Sequence, residues 1–307
     1  MKKLVILKHG GGELANQLWN YVSICAYGLE IGATVRNPSF YEYHHFFRFL
    51  KDESFVTNLK ARLLFRKPRR RSSFINRIER RKYALRSRIT AWFEPSRVYS
   101  SENSLNQATY LPPSAPLPDR LQRYDALYFT GWLFRNPKGL EKFGSALREA
   151  FKPADFVAKR VDSIIAPLRE KHSKIVGVHI RQSDYAGFKG GRFIVGQKRV
   201  RETLDEYIRE NSMDAAAALF LITSDGPIDA RKFDGLNIHI SKENSVTDLF
   251  LLSRADAVIG SDSSFGAFAA WYANVPHIIF KNEAMDWAYY KNKTSFFTNK
   301  YSELARY

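Results

Sequence analysis

Two residue clusters in the second half of the chain have the types and spacing needed to bind a phosphate ester. His179 and Arg181 fall on the same side of a strand predicted over residues 174–180, because side chains alternate between the faces of a strand. Arg181 follows the end of this strand, where a guanidinium can grip a phosphate through two parallel hydrogen bonds. Asp184 is suited to orient Arg181 or to accept a proton. The alternative interpretation is a strand end closed by a structural ion pair.

The second cluster, residues 260–266, joins a predicted strand to a predicted helix. Ser263 or Ser264 is a natural N-cap residue. Unpaired backbone N–H groups and the helix dipole make such a helix start an anion site. We therefore predict that Ser263, Ser264 and Phe265 contact a phosphate, with ordinary capping as the alternative.

Two acidic residues lie near the same predicted sheet edge. Asp225 follows a strand predicted over 217–223, and Asp248 stands in the first turn of a helix predicted over 247–255. Carboxylates of this kind can accept hydrogen bonds from a guanine edge or from ribose hydroxyls, although an acid in a first turn is also favoured by the dipole alone. No Asp-x-Asp pair accompanies them. The combination predicts a metal-independent enzyme that acts on a nucleotide diphosphate.

The glycine-rich turn near the N-terminus supports a weaker prediction. Gly10-x-Gly12-x-x-Ala15 fits a relaxed dinucleotide-binding fingerprint. The next predicted strand ends at Arg36 without an acid for a ribose, which argues against NAD and leaves NADP open. Asn16 and Gln17, in the first helical turn, can instead hydrogen-bond a sugar.

Alternating strands and helices with short connections must position these residues. Such alternation predicts parallel, doubly wound sheets, in which ligands bind at the carboxyl ends of strands. We expect an α/β chain with two Rossmann-like domains facing a central cleft, residues 1–150 and 151–307. Strands are predicted at 4–9, from 34, at 128–132, 174–180, 217–223, 236–240, 257–260 and 277–280, and helices at 15–30, 137–150, 156–170, 198–210, 247–255 and 264–273.

The charge of the chain is concentrated in one insertion, at about residues 60–90. Residues 60–88 contain thirteen Lys and Arg against Glu79, a net charge of +12 out of the +17 carried by all 307 residues. Ile75, Ile78 and Leu85 are spaced to share a helix face, with arginines on the other. This pattern fits a basic amphipathic helix on anionic lipid, a nucleic-acid contact, or a solvated face over a phosphate-bearing substrate. We predict the lipid contact and expect no nucleic acid.

Cysteine content and hydropathy limit the class of protein. The single Cys25 excludes an internal disulfide framework and suits a reducing compartment. The first residues are too polar for a signal-peptide core, and no stretch approaches the roughly 20 apolar residues of a membrane span. The adjacent His44 and His45 lack the spacing of a metal site. These features predict a cytoplasmic protein, and the basic insertion predicts that it is peripheral at the inner face of the cell membrane.

Four segments together resemble motifs of bacterial α-1,2-fucosyltransferases. Residues 11–21, GGELANQLWNY, resemble the opening GGLGNQLFQY with one residue inserted. Residues 179–185, HIRQSDY, resemble H(V/I)RRGDY, which α-1,6- and protein O-fucosyltransferases share more loosely. Residues 247–253, TDLFLLS, resemble DLYLMS, and residues 261–271, SDSSFGAFAAW, resemble NSSFSWWGAWL. The four occur in the same order as in the family and cover both halves of the chain.

The resemblance implies a GT-B fold, GDP-fucose as donor, no metal or other cofactor, and inversion at the anomeric carbon. It implies that Arg181 binds the donor pyrophosphate and that His179 lies beside the donor. It assigns the diphosphate to Ser263, Ser264 and Phe265, guanine or ribose to Asp248 and Asp225, and the sugar or acceptor to Asn16. The implied reaction is transfer of fucose to a hydroxyl of a glycan acceptor, α-1,2 to galactose, in surface polysaccharide or lipopolysaccharide synthesis, with an acceptor that can be lipid-linked.

The chain departs from the family pattern in two places. Gln182 and Ser183 replace the second arginine and the glycine, and Ala267-Phe268 replaces a tryptophan pair. Loss of one arginine should weaken stabilisation of the leaving group by about 2–3 kcal/mol. Lys189, Arg192 and Lys198 are candidates to compensate. The nearest candidates for the catalytic base are Asp184 and Glu13.

Three alternatives stay open beside fucosyl transfer. A glycosyltransferase using another nucleotide sugar would share the same phosphate-binding residues. A non-catalytic protein that binds nucleic acid or membrane would account for the charge. An NADP enzyme would account for the N-terminal turn.

Overall fold

Two parallel sheets organise the chain in the computed structural model, which describes residues 2–9, 12–48, 63, 73–101, 107–182, 187–291 and 293–296. The side chains of Phe188 and Lys189 are not described. Each sheet belongs to its own compact unit, and the units divide between Ala154 and Asp155. Gly10, Gly11, Ser183, Asp184 and much of the basic insertion lie outside the described residues.

The first unit contains a four-stranded parallel sheet with the order β2-β1-β5-β3. Its strands are β1 (Lys3–Lys8), β2 (Thr34–Arg36), β3 (Val98–Ser100) and β5 (Ala126–Thr130), and a separate parallel pair is formed by β4 (Thr109–Tyr110) and β6 (Phe134–Arg135). Its helices are α1 (Leu14–Glu30), α2 (Phe74–Phe93), α3 (Asp119–Gln122), α4 (Pro137–Lys142) and α5 (Gly144–Ala150). The helix predicted over 137–150 is therefore interrupted, because Phe143 has a non-helical conformation (φ −109°, ψ 14°).

The second unit contains a five-stranded parallel sheet with the order β11-β10-β7-β8-β9. Its strands are β7 (Lys174–Ile180), β8 (Ala218–Ser224), β9 (Ile238–Ile240), β10 (Ala257–Gly260) and β11 (His277–Ile279). Its helices are α6 (Asp155–Lys171), α7 (Gln197–Glu210), α8 (Ser245–Leu252), α9 (Ser264–Ala273) and α10 (Trp287–Tyr290). The chain builds outward from β7 to β9 and then returns to place β10 on the other side of β7. The switch point of this doubly wound sheet is thus between β7 and β10.

The two faces of strand β7 pack against different helices. Val176, Val178 and Ile180 are buried in the same core as Val200 and Leu204 of α7. On the opposite face, a Cβ added to Gly177 would lie 3.0 Å from Leu252 of α8. The predicted alternation is confirmed, and it places His179 on the side of α8 and α9.

Among the described residues, no helix combines the length and apolar character required to cross a bilayer.

Candidate functional site

The two predicted phosphate-binding clusters meet at the switch point of the second sheet. Gly260, the last residue of β10, is in register with His179 of β7. The backbone N–H of Ser261 donates to the His179 carbonyl (2.9 Å), and the backbone N–H of Arg181 donates to Ser261 Oγ (3.0 Å). Two hydrogen bonds therefore join the strand end that carries Arg181 to the turn that starts α9. Ligands of open α/β sheets bind at such a position.

Arg181 is held by an acidic residue from the neighbouring strand end. Its Nε lies 3.1 Å from Asp225 Oδ2, and about a fifth of the Arg181 side chain is exposed. The other Asp225 oxygen accepts the backbone N–H of Gln182 (2.6 Å). Asp225 thus orients the guanidinium at the mouth of the switch point. A role for Asp225 in reading guanine or ribose stays a prediction.

Gln182, which stands where the related motif has its second arginine, braces the loop after β8. Its side-chain amide donates to Ser224 Oγ (2.9 Å) and to the Pro227 carbonyl (3.0 Å). The loop comes so close that a Cβ on Gly226 would lie 2.9 Å from Gln182 Cβ. Gln182 therefore has a structural role here rather than that of a second phosphate-binding cation.

The candidates to compensate for the missing arginine are only partly described. Arg192 and Lys198 are exposed, and Arg192 lies over the ring of Phe193 at 4.6 Å. Compensation by these residues stays a prediction.

His179 is buried beneath the start of α9 with 4% of its surface exposed. Its Nδ1 is 3.2 Å from Thr223 Oγ1, and its ring lies 4.7 Å from the ring of Phe265. Burial, assisted by the charge of Arg181, lowers the pKa of His179 to about 3. Nε2 is buried and has no hydrogen-bond partner among the described residues. His179 is thus a neutral imidazole with one unused ring nitrogen, suited to hydrogen bonding rather than to proton donation.

Ser263 occupies the N-cap position of α9 without capping it. Its side chain makes no cap hydrogen bond, and its Oγ is buried without a partner within the described part of the chain. Asn244 shows the contrast at α8, where its side chain accepts the N–H groups of Val246 and Thr247. Ordinary capping therefore does not account for Ser263. A helix start generally presents backbone N–H groups that the helix itself does not use.

Two glycines allow α9 to start directly over the strand ends. A Cβ on Gly260 would lie 2.9 Å from the His179 carbonyl oxygen, and one on Gly266 would lie 3.1 Å from His277 Nε2. His277 is 2% exposed, and burial lowers its pKa to about 3. The sequence placed Gly266 in the 260–266 cluster without assigning it a role, and it assigned none to His277. Alternation along β11 was the signal that could have placed His277 on the His179 face.

Asp248 is buried near the end of β9, with 9% of its surface exposed. Ser241 Oγ donates to its carboxylate at 2.5 Å. Burial raises the pKa of Asp248 to about 7, against the lowering effect of the Ser241 bond. Its first-turn position is as predicted, and its contact with guanine or ribose stays a prediction.

The remaining candidate residues lie at the start of α1 in the first unit. Asn16 is half-buried, whereas Gln17 is fully buried, and its amide nitrogen is 3.5 Å from the Gly12 carbonyl and 3.4 Å from Glu42 Oε2. The prediction of a sugar or acceptor contact thus rests more on Asn16 than on Gln17. Glu13 is exposed, and Asp184 is outside the described residues.

Within the part of the chain that the structure describes, no group of three His, Cys, Asp or Glu residues is arranged to hold a metal ion.

Comparison with solved structures identifies the fold. POFUT1 in complex with GDP-fucose matches with a TM-score of 0.53 at 11% identity, over 91% of this chain and 98% of POFUT1. The fucosyltransferase NodZ from Bradyrhizobium matches with a TM-score of 0.52 at 14% identity, over 93% and 97% of the two chains. A mutant of Arabidopsis thaliana FUT1 in complex with GDP gives 0.50 at 12% identity, over 96% and 73%.

No protein-family model matches the chain, and no curated protein is similar to it in sequence. At identities of 11–14% the structural likeness shows the fold and not the α-1,2 group of enzymes. The prediction of an α/β chain of the GT-B type, with Rossmann-like domains, is confirmed. The chain has the fold found in these fucosyltransferases.

Proposed function

We propose that this chain is an inverting, metal-independent glycosyltransferase that transfers fucose from GDP-fucose to a hydroxyl of a glycan acceptor. The observation that carries the proposal is that Arg181, His179 and Ser263 all adjoin the start of α9. The Nε2 of His179 and the Oγ of Ser263 are buried there without a partner among the described residues. These groups would form a cationic, hydrogen-bonding site at the switch point, where nucleotides bind in doubly wound sheets. Structures of the same fold contain GDP or GDP-fucose.

The donor diphosphate would lie between Arg181 and the first turn of α9. Arg181 would bind the pyrophosphate oxygens, with Asp225 holding the guanidinium in place. Ser263 Oγ and the N–H groups of Ser264 and Phe265 would complete the anion site. Asp248 would accept hydrogen bonds from guanine or ribose.

The reaction would proceed by departure of GDP as the sugar gains oxocarbenium character. Negative charge grows on the β-phosphate, where Arg181 and the α9 dipole stabilise it. An acceptor hydroxyl would attack from the opposite face, with Asp184 or Glu13 as the base and Asn16 and Gln17 near the sugar or acceptor. His179 is neutral, so it would contribute a hydrogen bond rather than an acidic proton.

The finer parts of the proposal rest on the motif resemblance. They are α-1,2 transfer to galactose, a role in surface polysaccharide or lipopolysaccharide synthesis, a lipid-linked acceptor, and a cytoplasmic location at the inner membrane face. A second candidate, transfer from another nucleotide sugar, is favoured by Gln182. Gln182 stands where the related motif has its second arginine, so this position supplies no cation. Its side-chain amide instead donates hydrogen bonds to the loop after β8.

A thermal-shift panel of GDP, UDP, ADP, CMP and NADP tests the donor assignment. Ligand at 100 times its Kd stabilises a protein by about 2.7 kcal/mol, which is a shift of several degrees in Tm. We expect GDP alone to give this shift, and Arg181→Ala to lose it. The matched control is Lys171→Ala, which removes an exposed cation at the end of α6. Stabilisation by UDP or NADP, or steeply salt-dependent RNA binding without any nucleotide shift, would contradict the proposal.

A further inference from the structure

Helix α2, which carries much of the basic insertion, packs against the rest of the first unit with a polar face. Asn76, Glu79 and Ser87 are buried, and Ser87 Oγ is 3.0 Å from Thr130 Oγ1 at the end of β5. A helix on the surface of a globular protein normally buries its apolar stripe instead. The polarity of α2 is therefore inverted.

This inner face is fixed by specific contacts rather than by burial alone. Arg80 pairs with the buried carboxylate of Glu42 at 3.0 Å, and the rings of Tyr41 and Tyr83 stack at 5.3 Å. Glu42 also accepts the Gln17 amide of α1 (3.4 Å). These contacts attach α2 to the rest of the first unit.

The outer face of α2 is apolar and exposed. Its members share the helical spacing i, i+4, i+11, i+15 and i+18 and are 46% to 78% exposed: Phe74, Ile78, Leu85, Ile89 and Trp92. Phe93, next to this stripe, is 71% exposed. Such a continuous apolar surface marks a binding site for a partner or a membrane.

Cations border this stripe on both sides. At 100° per residue, Arg77, Arg81 and Arg88 fall along one edge and Lys82 and Arg86 along the other, and all five are exposed. Among the residues the structure describes, none of these five forms an ion pair. The surface therefore combines apolar anchors with unneutralised positive charge.

We propose that the outer face of α2 binds an anionic lipid surface. The apolar stripe would enter the boundary between headgroups and acyl chains, where Trp and Phe side chains are favoured. The bordering arginines would extend to the phosphates. The charge argues against a second copy of this chain on the same face, because two such segments would repel each other. A nucleic acid would leave the apolar anchors without a partner.

The proposal is independent of fucosyl transfer, since it uses only residues of α2. It gives the basic insertion a specific mode of contact, with the inner face holding the helix in the protein and the outer face available to lipid.

Cosedimentation of the 307-residue chain with vesicles tests the lipid contact. The wild type is expected to bind vesicles of phosphatidylcholine with phosphatidylglycerol and not vesicles of phosphatidylcholine alone. The double variant Arg81→Gln/Arg88→Gln should reduce the partition coefficient about 30-fold, at roughly 1 kcal/mol per cation. The double variant Leu85→Ser/Trp92→Ser should reduce the partition coefficient at least as much. The residual binding of this variant should still weaken as salt is added, because all of the cations remain.

Control variants change exposed residues of the same chemical kind elsewhere in the chain. Leu29→Ser removes an exposed leucine of α1, and Lys171→Gln/Lys232→Gln removes two exposed cations, and both should leave vesicle binding unchanged. The GDP-induced thermal shift should survive in every α2 variant, which separates this test from that of the donor site. Failure of the wild type to bind, or full binding by Leu85→Ser/Trp92→Ser, would overturn the proposal. So would a dimer that Trp92→Ser separates, or RNA binding through this face, without vesicle binding.

Discussion

Replacing Arg181 with alanine should abolish most of the transfer activity while leaving the protein folded. The structural cost is small, because the lost ion pair with Asp225 joins two side chains that are 21% and 25% exposed. Pairs of this kind contribute about 1 kcal/mol or less, against a total stability of about 5–15 kcal/mol. The backbone N–H of Arg181, which donates to Ser261 Oγ, is retained in the variant. A change in Tm of a few degrees at most is therefore expected.

The catalytic cost is expected to be much larger, because in the proposed reaction the guanidinium would be the charge that faces the leaving diphosphate. Loss of one preorganised donor to a developing anion typically costs a factor of about 100 to 1,000 in kcat, or about 2.7–4 kcal/mol. Gln182 cannot take over, since its amide is bound to Ser224 and Pro227. Arg181→Ala should accordingly reduce kcat at least about 100-fold.

Release of GDP from GDP-fucose in the presence of acceptor, measured at saturating donor, gives this kcat. Asp225→Asn keeps the cation but loses its charged partner, so it should fall between the wild type and Arg181→Ala. Arg181→Lys should recover part of the activity, because a point charge is kept without the bidentate fork. Near-normal transfer by Arg181→Ala, with Tm unchanged, would refute the assignment of the phosphate contact.

Three further predictions concern the surroundings of this site. Ser263→Ala should weaken GDP binding without lowering the free energy of unfolding measured in urea. Asn244→Ala, which removes a side chain that caps α8, should lower the free energy of unfolding by about 1 kcal/mol. Equal losses of stability in the two variants would show that Ser263 does act as a cap. The pKa of Asp248 in the folded state, about 7, lies above that of an Asp in the unfolded chain. The contribution of Asp248 to the free energy of unfolding is therefore full below pH 4 and is lost as the pH rises through 7. Relative to Asp248→Asn, the wild type should lose up to about 4 kcal/mol of its free energy of unfolding between pH 4 and pH 8, as measured by urea denaturation. Parallel plots of the free energy of unfolding against pH for the two proteins would contradict this. Gly266→Ala should lower the free energy of unfolding by about 1–3 kcal/mol in the same assay, because the new Cβ would lie 3.1 Å from His277 Nε2. An unchanged midpoint of urea denaturation would show that α9 can shift to make room.

The second sheet could be read from the sequence because its local signals agree with its packing. Strand β10 is a short apolar run, and β7 is apolar apart from Lys174 and His179. Helix α9 begins at the second residue of the pair Ser263-Ser264. The predicted bounds 174–180, 257–260 and 264–273 therefore match the structure. The predicted end of β7 also placed His179 and Arg181 at the carboxyl edge of the sheet. The sequence did not specify the strand order, which determines that β7 and β10 are adjacent.

Helix α2 was harder to interpret, because its polarity opposes the usual rule. Its apolar spacing was visible, but amphipathicity alone cannot say which face is buried. The choice depends on long-range contacts such as Arg80 with Glu42, which are 38 residues apart. Gln182 presents the same difficulty, since its role follows from the Pro227 carbonyl, 45 residues away.

Incubation of the protein with GDP-fucose and a panel of galactosides, followed by mass spectrometry, is the decisive test of fucosyl transfer. One galactoside is expected to gain a single deoxyhexose, with one GDP released per transfer and no need for added metal. Arg181→Ala should form little product under the same conditions. Transfer from a different nucleotide sugar, with GDP-fucose left intact, would show that the chain is not a fucosyltransferase.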